Sequence, residues 1–242
     1  MNRLLGFAAA VALLIVGAVV LAGTPFGGDD MGTIPSDAPK GPVTKCENGV
    51  GKATGKLVAA VGKCTASRVS GKLSDDAAED GCEGAALTKF GTTKTTGCGT
   101  CTNLTTLGAA VVGLLDSNNN KVYCTATGTP FGGDDTGNIP SDAPKGPITK
   151  CENGVNKAVG KLVAAIVKCH ANRATGKLAD DSAEDGCEGA ALTKFGTTKT
   201  AGCDSCTNLG TLGSFVETQV DGVGNALVYC ASPSGAFLDV LG

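Results

Sequence analysis

The sequence predicts an all-α protein: two tandem, disulfide-stapled helical-hairpin domains, each with room for a third helix, joined by Pro/Gly-rich linkers. Three observations predict it. The stretch Thr44 to Cys64 reads as an amphipathic helix and returns at Thr149 to Cys169 with few changes. Twelve cysteines fall in the same order in both halves of the chain. Bulky apolar side chains are scarce, with no Trp, two Tyr and seven Phe against 37 Gly, so crosslinks have to supply stability that packing cannot.

Taken in order, Met1-Asn2-Arg3 precedes an uncharged apolar run from Leu4 to Ala22. A run of this length behind one basic residue is an export signal. Residues 1–22 are therefore expected to be a signal peptide cleaved after Val20-Leu21-Ala22 or, the alternative, an uncleaved N-terminal anchor near the length that spans a bilayer. Residues 23–43 form a Pro/Gly-rich segment whose Thr24 to Pro42 portion returns at Thr129 to Pro147 with 17 of 19 residues identical. Residues 44–128 are cysteine-rich helical repeat 1, 129–148 the linker, 149–230 repeat 2, and 231–242 a C-terminal tail.

Within repeat 1, Cys46, Val50, Ala53, Leu57, Val61 and Cys64 follow one another at spacings of three or four, opposite Lys45, Lys52, Lys56 and Lys63. This is one apolar and one basic face of a helix. Thr44-Lys45-Cys46-Glu47 fits a capping box at its start. Gly71 breaks the pattern, and Asp76-Ala77-Ala78-Glu79 offers a second box for a helix running to about Phe90. The acidic residues Asp75, Asp76, Glu79, Asp80 and Glu83 suit that helix start and are expected to face the lysines of the first helix. Leu104, Leu107, Val111, Leu114 and Leu115 predict a third helix, followed by a turn at Asp116 to Asn120 and a short extended end at Lys121 to Cys124.

The two cysteines of the first helix lie about five turns apart, roughly 27 Å, and cannot pair with each other. An antiparallel hairpin brings Cys64 level with Cys82, and Cys46 level with Cys98 or Cys101. The remaining one of that pair is left for Cys124. The same scheme is expected for Cys151, Cys169, Cys187, Cys203, Cys206 and Cys230.

Composition narrows function. Without residues 1–22 the chain keeps 19 basic and 23 acidic residues, a net charge of −4, which argues against a nucleic-acid partner. Cys98-Gly99-Thr100-Cys101 and Cys203-Asp204-Ser205-Cys206 could shuttle disulfides as CxxC pairs, yet every cysteine has a structural partner to hand. No second zinc knuckle accompanies them. Thr102 and Thr207 stand where covalent haem would need His. His170 is the only histidine, with Thr65 in its place in repeat 1, and reads as an exposed helix residue. Asp116-x-Asn118-x-Asn120 imitates a calcium loop but has Lys121 at the glycine position and Thr127 at the bidentate glutamate position. Gly27-Gly28-Asp29-Asp30 reads as a plain turn.

Lys150-Cys151-Glu152, Lys168-Cys169-His170, Asp185-Gly186-Cys187-Glu188 and the later CxxC together resemble cysteine-rich helical repeats of exported proteins from environmental bacteria. That resemblance implies export and tandem helices, and carries no activity or site.

The expectation is an exported, non-catalytic structural or interaction protein: a spacer, a surface-layer component or a bivalent binder. It would be secreted, periplasmic or at the cell surface, with a protein or envelope polymer as partner and membrane contact only through residues 4–22 if uncleaved. No catalytic residue, metal ligand or cofactor is assigned. The alternative is an extracytoplasmic thiol-disulfide or electron-transfer protein using the CxxC pairs. An envelope hydrolase ranks last, for want of a catalytic constellation present in both repeats.

Overall fold

A computed structural model describes residues 23–230; the expected export segment and the tail from 231 lie outside the described residues. The described chain is mostly helical. The first helix, α1 (Pro42–Val69), pairs with α2 (Asp76–Gly91), and α3 (Leu104–Asn118) lies across them. The second repeat follows the same plan with α4 (Pro147–Ala174), α5 (Asp181–Gly196) and α6 (Leu209–Gln219). A π-helical stretch, Val220–Gly224, and a short α7 (Asn225–Val228) close it.

Both expected capping boxes move. Gly41 is the N-cap of α1, Pro42 takes the first turn, and Thr44 lies inside the helix. The free amides are met from outside, by Asp37, whose carboxylate accepts from Val43 N (2.7 Å), Thr44 N (3.0 Å) and Thr44 Oγ1 (2.7 Å). Pro lacks an N–H, so a first-turn Pro leaves one donor fewer to satisfy. In α2 the cap is Asp75, one residue earlier than expected, accepting from Ala78 N at 2.9 Å. The expected Asp116 to Asn120 turn is the last turn of α3 and a 3₁₀ turn, and the expected extended end at Lys121 to Cys124 forms no strand.

The all-α expectation is also corrected. Each Pro/Gly-rich segment folds as an antiparallel hairpin, β1 (Thr24–Gly27) with β2 (Asp30–Ile34), and β3 (Thr129–Gly132) with β4 (Asp135–Ile139). The turn residues Gly27 and Gly28 have φ of +106° and +55°, conformations open to glycine and strained for other residues. Each hairpin leans on a buried tyrosine. Thr33 N donates to Tyr229 O and Asn138 N to Tyr123 O, both at 3.0 Å, with Phe26 and Phe131 against the respective rings. The first hairpin thereby completes the second repeat, some 200 residues further along.

α1 and α4 run antiparallel through the centre. Small residues allow their close approach: a methyl on Gly55 would come within 3.4 Å of Ala164 Cα, and one on Gly160 within 3.4 Å of Ala59 Cα. Tyr123 and Tyr229 then reach across. Tyr123 Oη donates to Asn153 Oδ1 (2.8 Å) at the start of α4, and Tyr229 Oη to Asn48 Oδ1 (2.6 Å) at the start of α1.

Six disulfides pair all twelve cysteines. Cys64–Cys82 and Cys169–Cys187 pair as expected, and Cys46 and Cys151 choose Cys98 and Cys203. The expected third bridge within each repeat is wrong. Cys101 pairs with Cys230 and Cys124 with Cys206, so each repeat's last cysteine crosses to the other repeat. The reason is the tyrosine next to it: Tyr123 and Tyr229 are buried against the opposite repeat's long helix and carry Cys124 and Cys230 with them. Six bridges are consistent with an oxidising, extracellular setting. Among the described residues no helix is long and apolar enough to cross a membrane.

Candidate metal centre

The antiparallel pairing of α4 with α5 places their bridged cysteines opposite each other, and the next residue on each helix points the same way. Cys169–Cys187 thus sets His170 against Glu188. Glu184 lies one turn back from Glu188, on the same face. The π-helical stretch after α6 supplies Asp221, and the first hairpin supplies Asp30 from the start of β2.

His170 Nε2 has Glu188 Oε1 at 2.9 Å, Asp30 Oδ1 at 3.1 Å and Asp221 Oδ1 at 3.2 Å. Asp30, His170, Glu184 and Glu188 each bring a ligand atom within 4.8 Å of all the others, and all four are buried. His170 itself is 1% exposed, which corrects the reading of it as an exposed helix residue. An imidazole nitrogen carries at most one hydrogen, so three carboxylates around it cannot all be satisfied by it. Nε2 can donate to only one of Asp30, Glu188 and Asp221 at a time, and the oxygens of Asp30 and Asp221 have no other hydrogen-bond donor.

Charge balance is equally poor. Arg173 Nε, at 3.8 Å from Glu184 Oε2, is the one permanent cation paired here among the described residues. Burial pushes Glu184 up to about 8, with the Asp30 charge adding to it. Burial likewise pushes Glu188 up to about 7 and raises Asp221, both opposed by His170. For His170, burial acts to lower the value, and the close carboxylates of Asp221, Asp30 and Glu188 outweigh it, leaving the imidazole well above its ordinary range.

The first repeat keeps the corresponding acids, but, among the described residues, they do not bring three ligand atoms within 4.8 Å of one another as those around His170 do. Offset by 105 residues, Asp135 stands for Asp30, Glu79 for Glu184, Glu83 for Glu188, Asp116 for Asp221 and Arg68 for Arg173. Thr65 replaces His170, and its hydroxyl donates to Val61 O at 3.3 Å. Burial, with Asp135 as the leading neighbouring charge, pushes Glu79 up to about 8. Burial and the Asp116 charge push Glu83 up to about 9. Asp116 and Asp135 both stand at about 7, raised by burial and then by neighbouring aspartates. An apolar cavity of about 120 Å³, bordered by Thr65, Val61, His170 and Val216, lies between the two groups of acids.

Two site expectations change. The acids of α2 were expected to face the lysines of α1. Instead Glu79 and Glu83 turn inward, while Lys52, Lys56 and Lys63 join Lys157, Lys161 and Lys168 along the outer groove between α1 and α4. Neither CxxC closes on itself: Cys98 and Cys101 go to Cys46 and Cys230, and Cys203 and Cys206 to Cys151 and Cys124. The sequence reading passed over Asp30, Asp135 and Asp221 as site residues. The available signal was the repeat itself, which keeps every acid of the centre and changes only the residue at 65 and 170.

The donor set, one imidazole with three or four carboxylates, suits a divalent first-row metal ion. Metal bonds of 2.0–2.1 Å place adjacent donors about 2.9 Å apart in an octahedron and about 3.3 Å apart in a tetrahedron. The separations of 2.9 to 3.2 Å around Nε2 fall in that interval. Compared with known proteins, the chain matches no family model, no curated protein and no solved structure.

Proposed function

We propose that this is an exported, non-catalytic structural protein, braced by its crosslinks into one unit, that holds a divalent metal ion at the His170 centre. The observation that carries it is the cluster of Asp30, Glu188 and Asp221 oxygens around a buried imidazole nitrogen that can donate to only one of them at a time. A metal ion would supply the missing positive charge to every donor at once. Because each of these donors is buried, the centre fits a closed, structural site better than a catalytic one with an open coordination position.

The cross-repeat bridges favour a spacer or surface-layer component over a bivalent binder, because bivalency gains from two arms that move independently. The thiol-disulfide alternative has less support, since it needs a CxxC that bridges internally. For a partner, the six lysines along the α1–α4 groove suit an acidic protein or an anionic envelope polymer.

The test uses the oxidised full chain after treatment with a chelator. Titration with Co²⁺ is expected to bind one ion with visible absorption bands and to raise the melting temperature. H170Q and D30N should each weaken that binding by about tenfold or more, the outer-shell and ligand range, with unchanged circular dichroism. Absence of Co²⁺ binding, or undiminished binding in both variants, would refute the metal reading.

A further inference from the structure

The outer groove between α1 and α4 has a volume of about 1070 Å³, at the upper end of what a drug-sized ligand fills. Its floor is apolar and made of small side chains: Gly55, Val58, Ala59, Gly160, Ala164 and Val167. Its walls are lysines, Lys52, Lys56 and Lys63 from α1 and Lys157, Lys161 and Lys168 from α4, all of them exposed. Among the described residues none of these six has a carboxylate within 4 Å, and the ion pairs there involve only His170 and Arg173. A chain with more acidic than basic residues thus leaves six cations unpaired along one groove.

The helix register turns these lysines into a ladder. Gly55 lies against Ala164 and Gly160 against Ala59, which brings Lys52 level with Lys168, Lys56 with Lys161 and Lys63 with Lys157 to within two residues. Steps of four and seven residues along α1 meet steps of seven and four along the antiparallel α4. The three pairs therefore follow one another every five to six residues, about 8 Å apart. Two rows of positive charge flank an apolar strip about 16 Å long.

We infer that this groove binds a linear acidic polysaccharide outside the cell, a polymer of uronic acid residues. This rests on the proposal that the protein is exported and meets its partner at the lysine groove, and it is independent of a metal at His170. Complementarity operates on two surfaces. A uronic acid chain is a ribbon with carboxylates along its edges and C–H groups on its ring faces, so its edges meet the two lysine rows while a ring face covers the Gly/Ala floor. Covering that apolar floor adds to the charge attraction, and a cleft lined by one sign of charge concentrates a ligand of the other. Single-stranded nucleic acid is also a polyanion, but its bases stack on aromatic platforms, and among the described residues neither an aromatic side chain nor an arginine lines the groove. A docked acidic helix needs pockets for apolar anchors three and four residues apart, whereas this floor is a strip of small residues.

The experiment is calorimetric titration of the oxidised full chain with an oligomer of galacturonic acid. Two controls accompany it: the methyl ester of the same oligomer, which keeps the rings and removes the charges, and polyglutamate of matched charge, which keeps the charges without the rings. The free-acid oligomer is expected to bind more tightly than either control, with an affinity that falls as salt rises. An exposed ion pair is worth up to about fivefold in affinity, so K56E/K161E, which reverses the central pair, should cost about tenfold or more. A59Q/A164Q fills the floor and leaves every lysine in place. It should weaken the oligomer by a similar factor and leave polyglutamate unchanged. Both variants should keep the native circular dichroism, because all four side chains are exposed. Oligomer binding no tighter than that of its ester or of polyglutamate, or undiminished in either variant, overturns the inference. Tight binding of polyglutamate alone would put an acidic protein in the groove instead, and no binding by any of the three would remove the groove as a partner site. D30N should bind the oligomer as wild type does, so failure of the metal reading is scored separately.

Discussion

Glu152 shows how much one buried side chain can govern. It is fully buried near the Cys124–Cys206 bridge, with Oε1 accepting from Cys124 N at 3.3 Å. Burial pushes it up to about 7, against the pull of the Cys124 and Thr125 amides. Its folded value lies above its unfolded value, so the folded state holds the proton more tightly. The contribution to stability is therefore full at pH 4.5 and below, and is lost as pH rises towards 7. E152Q keeps an oxygen for the Cys124 amide and removes the titration. Its stability relative to wild type should rise across that window by about 3 kcal/mol and level off above it. Denaturant unfolding of both proteins from pH 4 to pH 8 measures this, and a constant difference would show that Glu152 does not titrate there.

At the scale of elements, helices α1 and α4 depend on caps that lie outside them. Asp37 and Asp142 each serve two amides and a threonine hydroxyl, in the same geometry in both repeats. The Thr-x-x-Glu pattern suggested a capping box, but Thr44 lies in the first turn and Glu47 is buried. D37A should cost about 1–2 kcal/mol, the upper range for loss of an N-cap, and D142A a similar amount. Denaturant midpoints report it, and D37A with an unchanged midpoint would mean that Pro42 alone holds the helix start. The helices themselves were legible because their signal is local: the three-or-four spacing in α1 and α3 depends on nothing distant. The hairpins were not legible. Thr24 to Gly27 has too few apolar residues to read as a strand, and it acquires a core partner only when Tyr229 arrives from the far end of the chain.

At the scale of the whole molecule, the repeats are joined by the polypeptide and also by Cys101–Cys230 and Cys124–Cys206. A protease site inserted between Ala126 and Thr127, both exposed, gives a direct check. After cleavage the two halves should stay together under denaturing, non-reducing conditions and separate only on reduction. Separation before reduction would restore the pairing of Cys101 with Cys124. The amino-acid sequence by itself determined the helices, their order, the repeat and the bridges Cys64–Cys82 and Cys169–Cys187, because each follows from spacing along one helix or across one short turn. It also placed Asp30, Glu188, Asp221 and His170 in the chain without relating them. Only the tertiary structure decided that relation: Asp30 and His170 are 140 positions apart and meet because β1–β2 packs on the last turn of the opposite repeat. The crossed disulfides follow from the same packing, since burying Tyr123 and Tyr229 against the other repeat carries the adjacent cysteines away from their own.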